Sequence, residues 1–239
     1  ITKEEFKQKM IESAELPKTA QPSIGRFVEV YDELGKNGDS VISIQMMRSI
    51  SGTVDAARQA ADITETNVTV VDSDFTSRSM GMIVKEAAKA AQEGKSVEEI
   101  LEIVEDAKKR TTLYLTVVNL DNLIKGGRIS QVMGMFSNLL NIKLFLQVIN
   151  GKIEIIQKGR GLKSLQKKYD EIFEQMKAAP NGIQEIGIMH AGLSDFNEGN
   201  IARVRELFPD VPLTIVTTSP IIMSHTGVDA MAITYLENK

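Results

Sequence analysis

The first half of the chain alternates between helical and strand-like patterns of apolar residues. Apolar positions three or four apart predict helices, and short continuous apolar runs predict strands. The predicted helices cover residues 6–11, 27–34, 51–61 and 77–92, and the predicted strands cover residues 41–46 and 68–71. Ser96 and Glu99 form a capping box that opens one more helix. Such alternation is typical of a parallel sheet covered by helices.

The second half of the chain has a different pattern. Strand-like runs at 144–149 and 152–157 flank Asn150-Gly151, a strong hairpin signal that indicates antiparallel pairing. Further predicted strands are 113–118, 185–189, 213–216 and 230–235, and predicted helices are 162–178, 199–207 and a run from the Gly126-Gly127 turn to Leu140. We therefore predict an α/β protein of two domains. Residues 1–110 would form a three-layer parallel sheet with helices on both faces, and residues 111–239 a two-layer mixed sheet with helices.

Composition narrows the function classes. The 239 residues include no cysteine and two histidines, so neither a thiolate metal site nor a histidine-rich metal centre is expected. No apolar run has the length of a membrane span and no signal peptide is visible, so we expect a cytoplasmic protein. Net charge is −4 and aromatic residues make up 5%, which argues against nucleic-acid binding. One region, residues 121–168, is basic.

Two short polar loops carry the most distinctive chemistry. Thr19 to Ser23 and Ser51-Gly52-Thr53 each precede a predicted helix. Hydroxyl groups beside the unpaired N–H groups of a helix N-terminus suit a small anion, and Gly52 lets a ligand approach the backbone closely. Such residues also serve as ordinary helix caps, and for Thr19 local sequence favours capping.

Three further residues are candidates for contacts with an acidic group. His225 lies in a predicted loop and could hydrogen-bond a carboxylate, although a loop histidine is more often simply solvated. Arg128 and Arg160 belong to the basic region, and an arginine fork binds carboxylate or phosphate well. We expect these two arginines to line an entrance or to contact a partner. His190, at the end of a buried strand, is expected to be structural.

Six motifs in order resemble the DegV family of bacterial fatty-acid-binding proteins, from about Glu4 to the C-terminus. They are Thr19-Ala20-Gln21-Pro22-Ser23, Ile50-Ser51-Gly52-Thr53, Val71-Asp72-Ser73, Lys125-Gly126-Gly127-Arg128-Ile129-Ser130, Gly159-Arg160-Gly161 and His225-Thr226-Gly227. Each motif alone is weak, but six at compatible spacing are strong.

The resemblance implies a carrier and not an enzyme. One long-chain fatty acid would lie between the two domains, with its tail buried and its carboxylate bound by hydroxyl and backbone N–H groups at Thr19, Ser51, Gly52, Thr53 and His225. Family members of this kind present the carboxylate to a separate fatty acid kinase. No cofactor would be needed, and membrane contact would be at most transient.

The chain also departs from the family pattern. The usual first strand, with its Asp-Ser-containing loop, would precede Phe6, so we expect one side of the first sheet to be open. Met47-Arg48 replaces two serines, Ala20 replaces a serine, Lys143-Leu144 replaces a Lys-Pro pair, and Val228 replaces a proline. The change to Met47-Arg48 affects the polarity beside the expected site of the fatty acid carboxylate. The change to Val228 affects the segment that carries His225.

The residues alone leave two other classes of function open. A stand-alone hydrolase or phosphotransferase could use Ser51 and His225, although the chain has neither a phosphate-binding loop nor a Gly-x-Ser-x-Gly elbow. A nucleic-acid binder could use the basic region. An apolar segment that includes Met133, Met135, Phe136, Leu139 and Leu140 is the expected wall for a hydrocarbon tail.

Overall fold

The computed structural model describes residues 1–128 and 142–239. They form two compact units. The large unit contains residues 1–19, 112–149 and 153–239, and the small unit contains residues 20–111 and 150–152. The change of unit near residue 111 lies beside the predicted boundary. Residues 1–19, however, belong to the large unit and not to the N-terminal half, because Met10 of helix α1 (Lys3–Glu12) packs against Ala191, Met223 and Ala230.

The small unit is built on a parallel pair of strands. Val41 lies opposite Val68, and Gln45 lies opposite Asp72. Its helices and strands alternate along the chain as predicted. They are α2 (Ile24–Gly35), β1 (Val41–Gln45), α3 (Thr53–Ala61), β2 (Val68–Asp72), α4 (Ser77–Gln92) and α5 (Val97–Arg110).

A groove of about 840 Å³ follows β1 between α2 and α4. Its apolar side chains include Phe27, Val30 and Val84. The Val41 N–H donates to Asn67, and the Gln45 carbonyl accepts from Ser73, so these ends of β1 bond toward β2. Successive residues of a strand direct their N–H and C=O groups to opposite sides. The N–H and C=O groups of Ile42 and Ile44 therefore face away from β2. Within the described ranges β1 pairs with β2 alone.

The large unit contains a mixed sheet with the strand order β5-β4-β3-β8-β6-β7. The β6–β7 pair is parallel, whereas β3–β4 and β6–β8 are antiparallel. After α1, its elements are β3 (Thr111–Val117), α6 (Asp121–Lys125), β4 (Ile142–Ile149), β5 (Lys152–Arg160), α7 (Leu162–Lys177), β6 (Ile183–His190), α8 (Asp195–Leu207), β7 (Leu213–Thr217), α9 (Pro220–Thr226) and β8 (Met231–Glu237).

Aromatic residues between α7 and the sheet form the centre of the large unit's core. Phe145, Tyr169 and Phe173 are almost fully buried, and the Phe145 and Tyr169 rings meet edge to face at 4.9 Å. The Tyr169 hydroxyl lies 2.8 Å from the hydroxyl oxygen of Thr116, and burial raises the pKa of the tyrosine. This packing holds α7 against the sheet.

The α/β fold class, with one parallel and one mixed sheet, is confirmed. The Asn150-Gly151 turn joins β4 to β5 with positive φ at both residues, the conformation of a tight hairpin turn. The predicted helix that ends at Leu140 lies outside the described residues from 129 onward. One prediction was wrong: the segment from Ser224 to Gly227, expected to be a loop, forms the last turn and the C-cap of helix α9, which Ser219 caps and Pro220 opens.

Candidate functional site

Three of the predicted residues meet in the large unit. Thr19 Oγ1 lies 2.9 Å from His225 Nε2, although the two residues are 206 positions apart. One nitrogen of the Arg128 guanidinium lies 3.5 Å from Thr19 Oγ1, and another donates to the Gly126 carbonyl at 2.7 Å. We call Thr19, Arg128 and His225 the threonine–histidine cluster.

Helix α9 and the α6 turn position the His225 ring. His225 lies in the last turn of α9, and Gly227, which follows the helix as its C-cap, has a φ of 74°. The Asn122 side chain donates to the Ser224 carbonyl at 3.2 Å, and this bond ties α6 to α9. At Gly126, a Cβ atom would lie 2.5 Å from His225 Nδ1, so the absence of a side chain allows the ring to approach the turn.

The surroundings of His225 favour its neutral form. Burial lowers the pKa of His225, and the nearby Arg128 cation lowers it further. His225 Nδ1 is buried and has no hydrogen-bond partner among the residues that the structure describes. A bound carboxylate would oppose both effects, since it stabilises a charged imidazole and accepts hydrogen bonds.

The second group of predicted residues lies in the small unit, at the start of α3. Ser51 Oγ accepts from the Thr53 N–H at 3.3 Å and lies 2.7 Å from the Thr53 hydroxyl. The N-cap of α3 is Gly52 and not Ser51, and it makes no side-chain cap. We call Ser51, Gly52 and Thr53 the serine–threonine cluster.

Gln21 joins the first polar loop to this cluster within the small unit. A Cβ atom at Gly52 would lie 2.3 Å from Gln21 Oε1, so the glutamine side chain rests on the glycine. Thr19 does not cap α2, because Ser23 occupies that position and accepts from the Arg26 N–H. The local capping role expected for Thr19 is therefore taken by Ser23.

The departures from the family pattern have clear structural roles. Met47 is buried, and Arg48 turns toward α3, where its Nε donates to Asp55 at 2.9 Å. Val228 packs against the cluster that contains Met10 and Met223. The one charged group at residues 47–48, the Arg48 guanidinium, therefore forms an ion pair on the surface of α3.

Sequence reasoning identified some of these residues and missed others. Arg160 is exposed at the end of β5, and its side chain makes no hydrogen bond or ion pair with the described residues. Gln21 and Asn122 were not singled out as candidates, although Gln21 belongs to the first polar loop and Asn122 precedes the Gly126-Gly127 motif. The apolar segment expected to enclose a tail falls largely on residues 129–141, outside the described residues.

Neither a metal-binding cluster nor a membrane-spanning helix occurs in residues 1–128 and 142–239. They contain no group of three or more His, Asp or Glu side chains that could hold a metal ion. Their helices are all too short or too polar to cross a bilayer.

The fold and the two clusters define an α/β protein of two units, each with hydroxyl side chains gathered beside a helix end. A model of the DegV family, described as a family of uncharacterised proteins, matches residues 1–238. A DegV domain-containing protein of Streptococcus pneumoniae is 43% identical over 228 residues, which cover 95% of this chain and 81% of that protein. This chain belongs to the DegV family.

Solved structures agree with that assignment. A DegV family protein from Thermus thermophilus, described by its fatty acid binding, is 31% identical with a TM-score of 0.85; the match covers 100% of this chain and 85% of that one. DegV from Bacillus subtilis, described as a fatty acid binding protein, is 28% identical with a TM-score of 0.86, and the match covers 98% and 84%.

Proposed function

We propose that this protein binds a long-chain fatty acid and acts as its carrier. The observation that carries this proposal is the similarity to two solved DegV structures described by fatty acid binding. The hydroxyl clusters support it, because each offers donors that suit a carboxylate.

The threonine–histidine cluster is the first proposed contact for the carboxylate. The Thr19 hydroxyl and the Arg128 guanidinium can both donate to an anionic oxygen, and His225 Nδ1 is a further polar atom without a partner. Arg128 is exposed, so its side chain can reorient toward a ligand without a large loss of packing.

The serine–threonine cluster is the second proposed contact. Ser51 and Thr53 bring two hydroxyl groups within 2.7 Å of each other at the N-terminus of α3, where unpaired N–H groups add partial positive charge. Gly52 leaves the backbone accessible at this point. Each cluster is a candidate contact in its own unit, and separate variants can test them.

The hydrocarbon tail would provide most of the binding free energy. Each buried CH₂ contributes about 0.8 kcal/mol, so a long tail needs few polar contacts. The groove beside β1 is a poor place for the tail, because hydrocarbon there would cover the outward peptide groups of Ile42 and Ile44 without pairing them.

The proposed carrier presents the carboxylate of its bound fatty acid to a separate fatty acid kinase. This would take place in the cytoplasm, where ATP is available to the kinase. Arg128 and Arg160 are the proposed partner contacts, because both are exposed and cationic. The chain itself would not turn over the ligand.

Native mass spectrometry followed by lipid extraction tests the proposal. We expect a copurified fatty acid in the unaltered protein. Thr19→Val and Ser51→Ala should each weaken its retention about tenfold, since a hydrogen bond to a charged group contributes about 1.5–3 kcal/mol. Ser13→Ala, which removes an exposed hydroxyl at the end of α1, is the matched control and should retain the lipid.

The same preparations also test the alternative. A lipid-free protein that hydrolyses esters, and loses this activity in Ser51→Ala, would overturn the carrier in favour of an enzyme. Full lipid retention in both cluster variants would show that the carboxylate is held elsewhere.

A further inference from the structure

A second polar region of the large unit lies where β6 and β7 end. His190 is the last residue of β6, and Thr218 directly follows β7. The Thr218 N–H donates to the His190 carbonyl at 2.9 Å, so the two residues are neighbours across the parallel pair. The two residues are 8% and 6% exposed.

Both side chains have an unsatisfied polar atom. His190 Nδ1 and Thr218 Oγ1 are buried without a hydrogen-bond partner in the described part of the chain. Buried polar atoms are nearly always paired in native proteins, and one that is not calls for a specific explanation. Two such atoms on neighbouring residues leave hydrogen-bonding capacity that a group from outside the chain can fill.

The charges around these residues favour an anion. Lys3 Nζ donates to the carbonyl of Thr217 at the end of β7. Lys7, one helical turn further along α1, acts on His190 together with Lys3: burial lowers the pKa of His190, and the two cations lower it further. A carboxylate, Asp229, also lies nearby, since Lys7 Nζ and Asp229 Oδ1 would each lie 2.6 Å from a Cβ atom at Gly192.

The location also suits a ligand. Ligands of α/β sheets bind beyond the carboxyl ends of parallel strands, which is where His190 and Thr218 lie. The region is distinct from the threonine–histidine cluster, because Thr218 precedes α9 whereas His225 lies in its last turn. The seven residues of α9 span about 10 Å.

We propose that His190, Thr218, Lys3 and Lys7 form a second binding site, which takes a phosphate-like oxyanion. The His190 ring and the Thr218 hydroxyl would donate to its oxygens, and the two ammonium groups would balance its charge. A free phosphate ion and the phosphoryl group of a larger molecule share this chemistry. The site is independent of the proposed fatty acid carrier function.

Histidine NMR offers a direct test, because the chain contains two histidines. His190→Gln and His225→Gln assign the two ring signals. Inorganic phosphate, added at constant ionic strength against chloride, should shift the His190 signal saturably and raise its pKa while leaving the His225 signal in place. Phenyl phosphate in a parallel titration distinguishes the sources: a matching shift shows that the site accepts a phosphoryl group on a larger molecule, and no shift restricts it to the free ion.

Matched variants test the assigned residues. Lys7→Gln and Thr218→Val should each weaken phosphate binding at least tenfold, whereas Lys9→Gln removes the same charge from the exposed side of α1 and should not. Thermal unfolding gives a second measurement: phosphate should raise the Tm of the unaltered protein and of Lys9→Gln, but not that of Thr218→Val.

Three results would overturn the proposal. They are a shift that chloride reproduces, equal phosphate affinity in Lys7→Gln and the unaltered protein, and a crystal structure grown in phosphate in which only an ordered water contacts His190 and Thr218.

Discussion

At the scale of single residues, the threonine–histidine cluster depends on the lack of a side chain at Gly126. Gly126 has no Cβ, and a Cβ atom built there would lie 2.5 Å from His225 Nδ1 and 2.7 Å from the Asn122 carbonyl. The carbonyl belongs to the backbone of α6 and cannot move aside cheaply. The close approach of the ring to the turn is therefore a property of the glycine as much as of the histidine.

Gly126→Ala should consequently displace His225 and weaken fatty acid retention. Isothermal titration with a long-chain fatty acid, after delipidation, measures the effect, and we expect a loss of about tenfold in affinity if one charged hydrogen bond is lost. Gly199→Ala is the control: it lies within α8 with no atom within 4 Å of the added Cβ, so affinity should be unchanged. Equal affinity in both variants would contradict this role for Gly126.

At the scale of elements, local signals predicted most helices and strands. The Ser96 capping box is confirmed, since Ser96 Oγ accepts from the Glu99 N–H and the Glu99 carboxylate accepts from the Ser96 N–H. Helix α9 was missed because seven residues give too little periodicity to tell a helix from a loop. Its start signals, Ser219 and Pro220, were available.

The capping box also gives a prediction about stability. Ser96→Ala should lower the free energy of unfolding by about 1 kcal/mol, because it leaves the Glu99 N–H in the first turn of α5 without its acceptor. Urea unfolding followed by circular dichroism measures this change. Ser96→Thr keeps the hydroxyl and should recover most of the loss; a Thr variant as unstable as the Ala variant would contradict the capping explanation.

Candidate residues were harder to predict than elements, for a physical reason. The meeting of Thr19 with His225 joins positions 206 apart, and no local pattern encodes such a contact. Family motifs placed both residues among the candidates, but not the hydrogen bond between them. The unsatisfied atoms of His190 and Thr218 likewise depend on burial, which the sequence at the end of a strand does not reveal.

At the scale of the whole molecule, the two histidines make stability depend on pH. Burial and nearby cations lower the pKa of both His190 and His225 below the ordinary value of 6.5. Below pH 6.5 the unfolded chain therefore binds more protons than the folded chain, and the free energy of unfolding falls as the pH decreases.

Urea titrations at pH 7.5 and 5.5 measure this loss. The double variant His190→Gln/His225→Gln should lose less stability over the same interval, because it lacks both groups. The pKa of Asp170, lowered by Arg203 from an ordinary 3.8, lies below this window and leaves the comparison clear. If the double variant loses as much free energy of unfolding between pH 7.5 and pH 5.5 as the unaltered protein does, groups other than the two histidines cause the effect.

Among residues 1–128 and 142–239, β1 pairs with a neighbour on one side only, and this has a practical consequence for handling the protein. The unpaired backbone N–H and C=O groups of an edge strand can pair with another extended chain, including one from a second molecule of the same protein. Self-association through this edge would rise with protein concentration, so dilute samples should give the more trustworthy spectra. In concentrated samples, edge-to-edge pairing between molecules should compete with the monodisperse state.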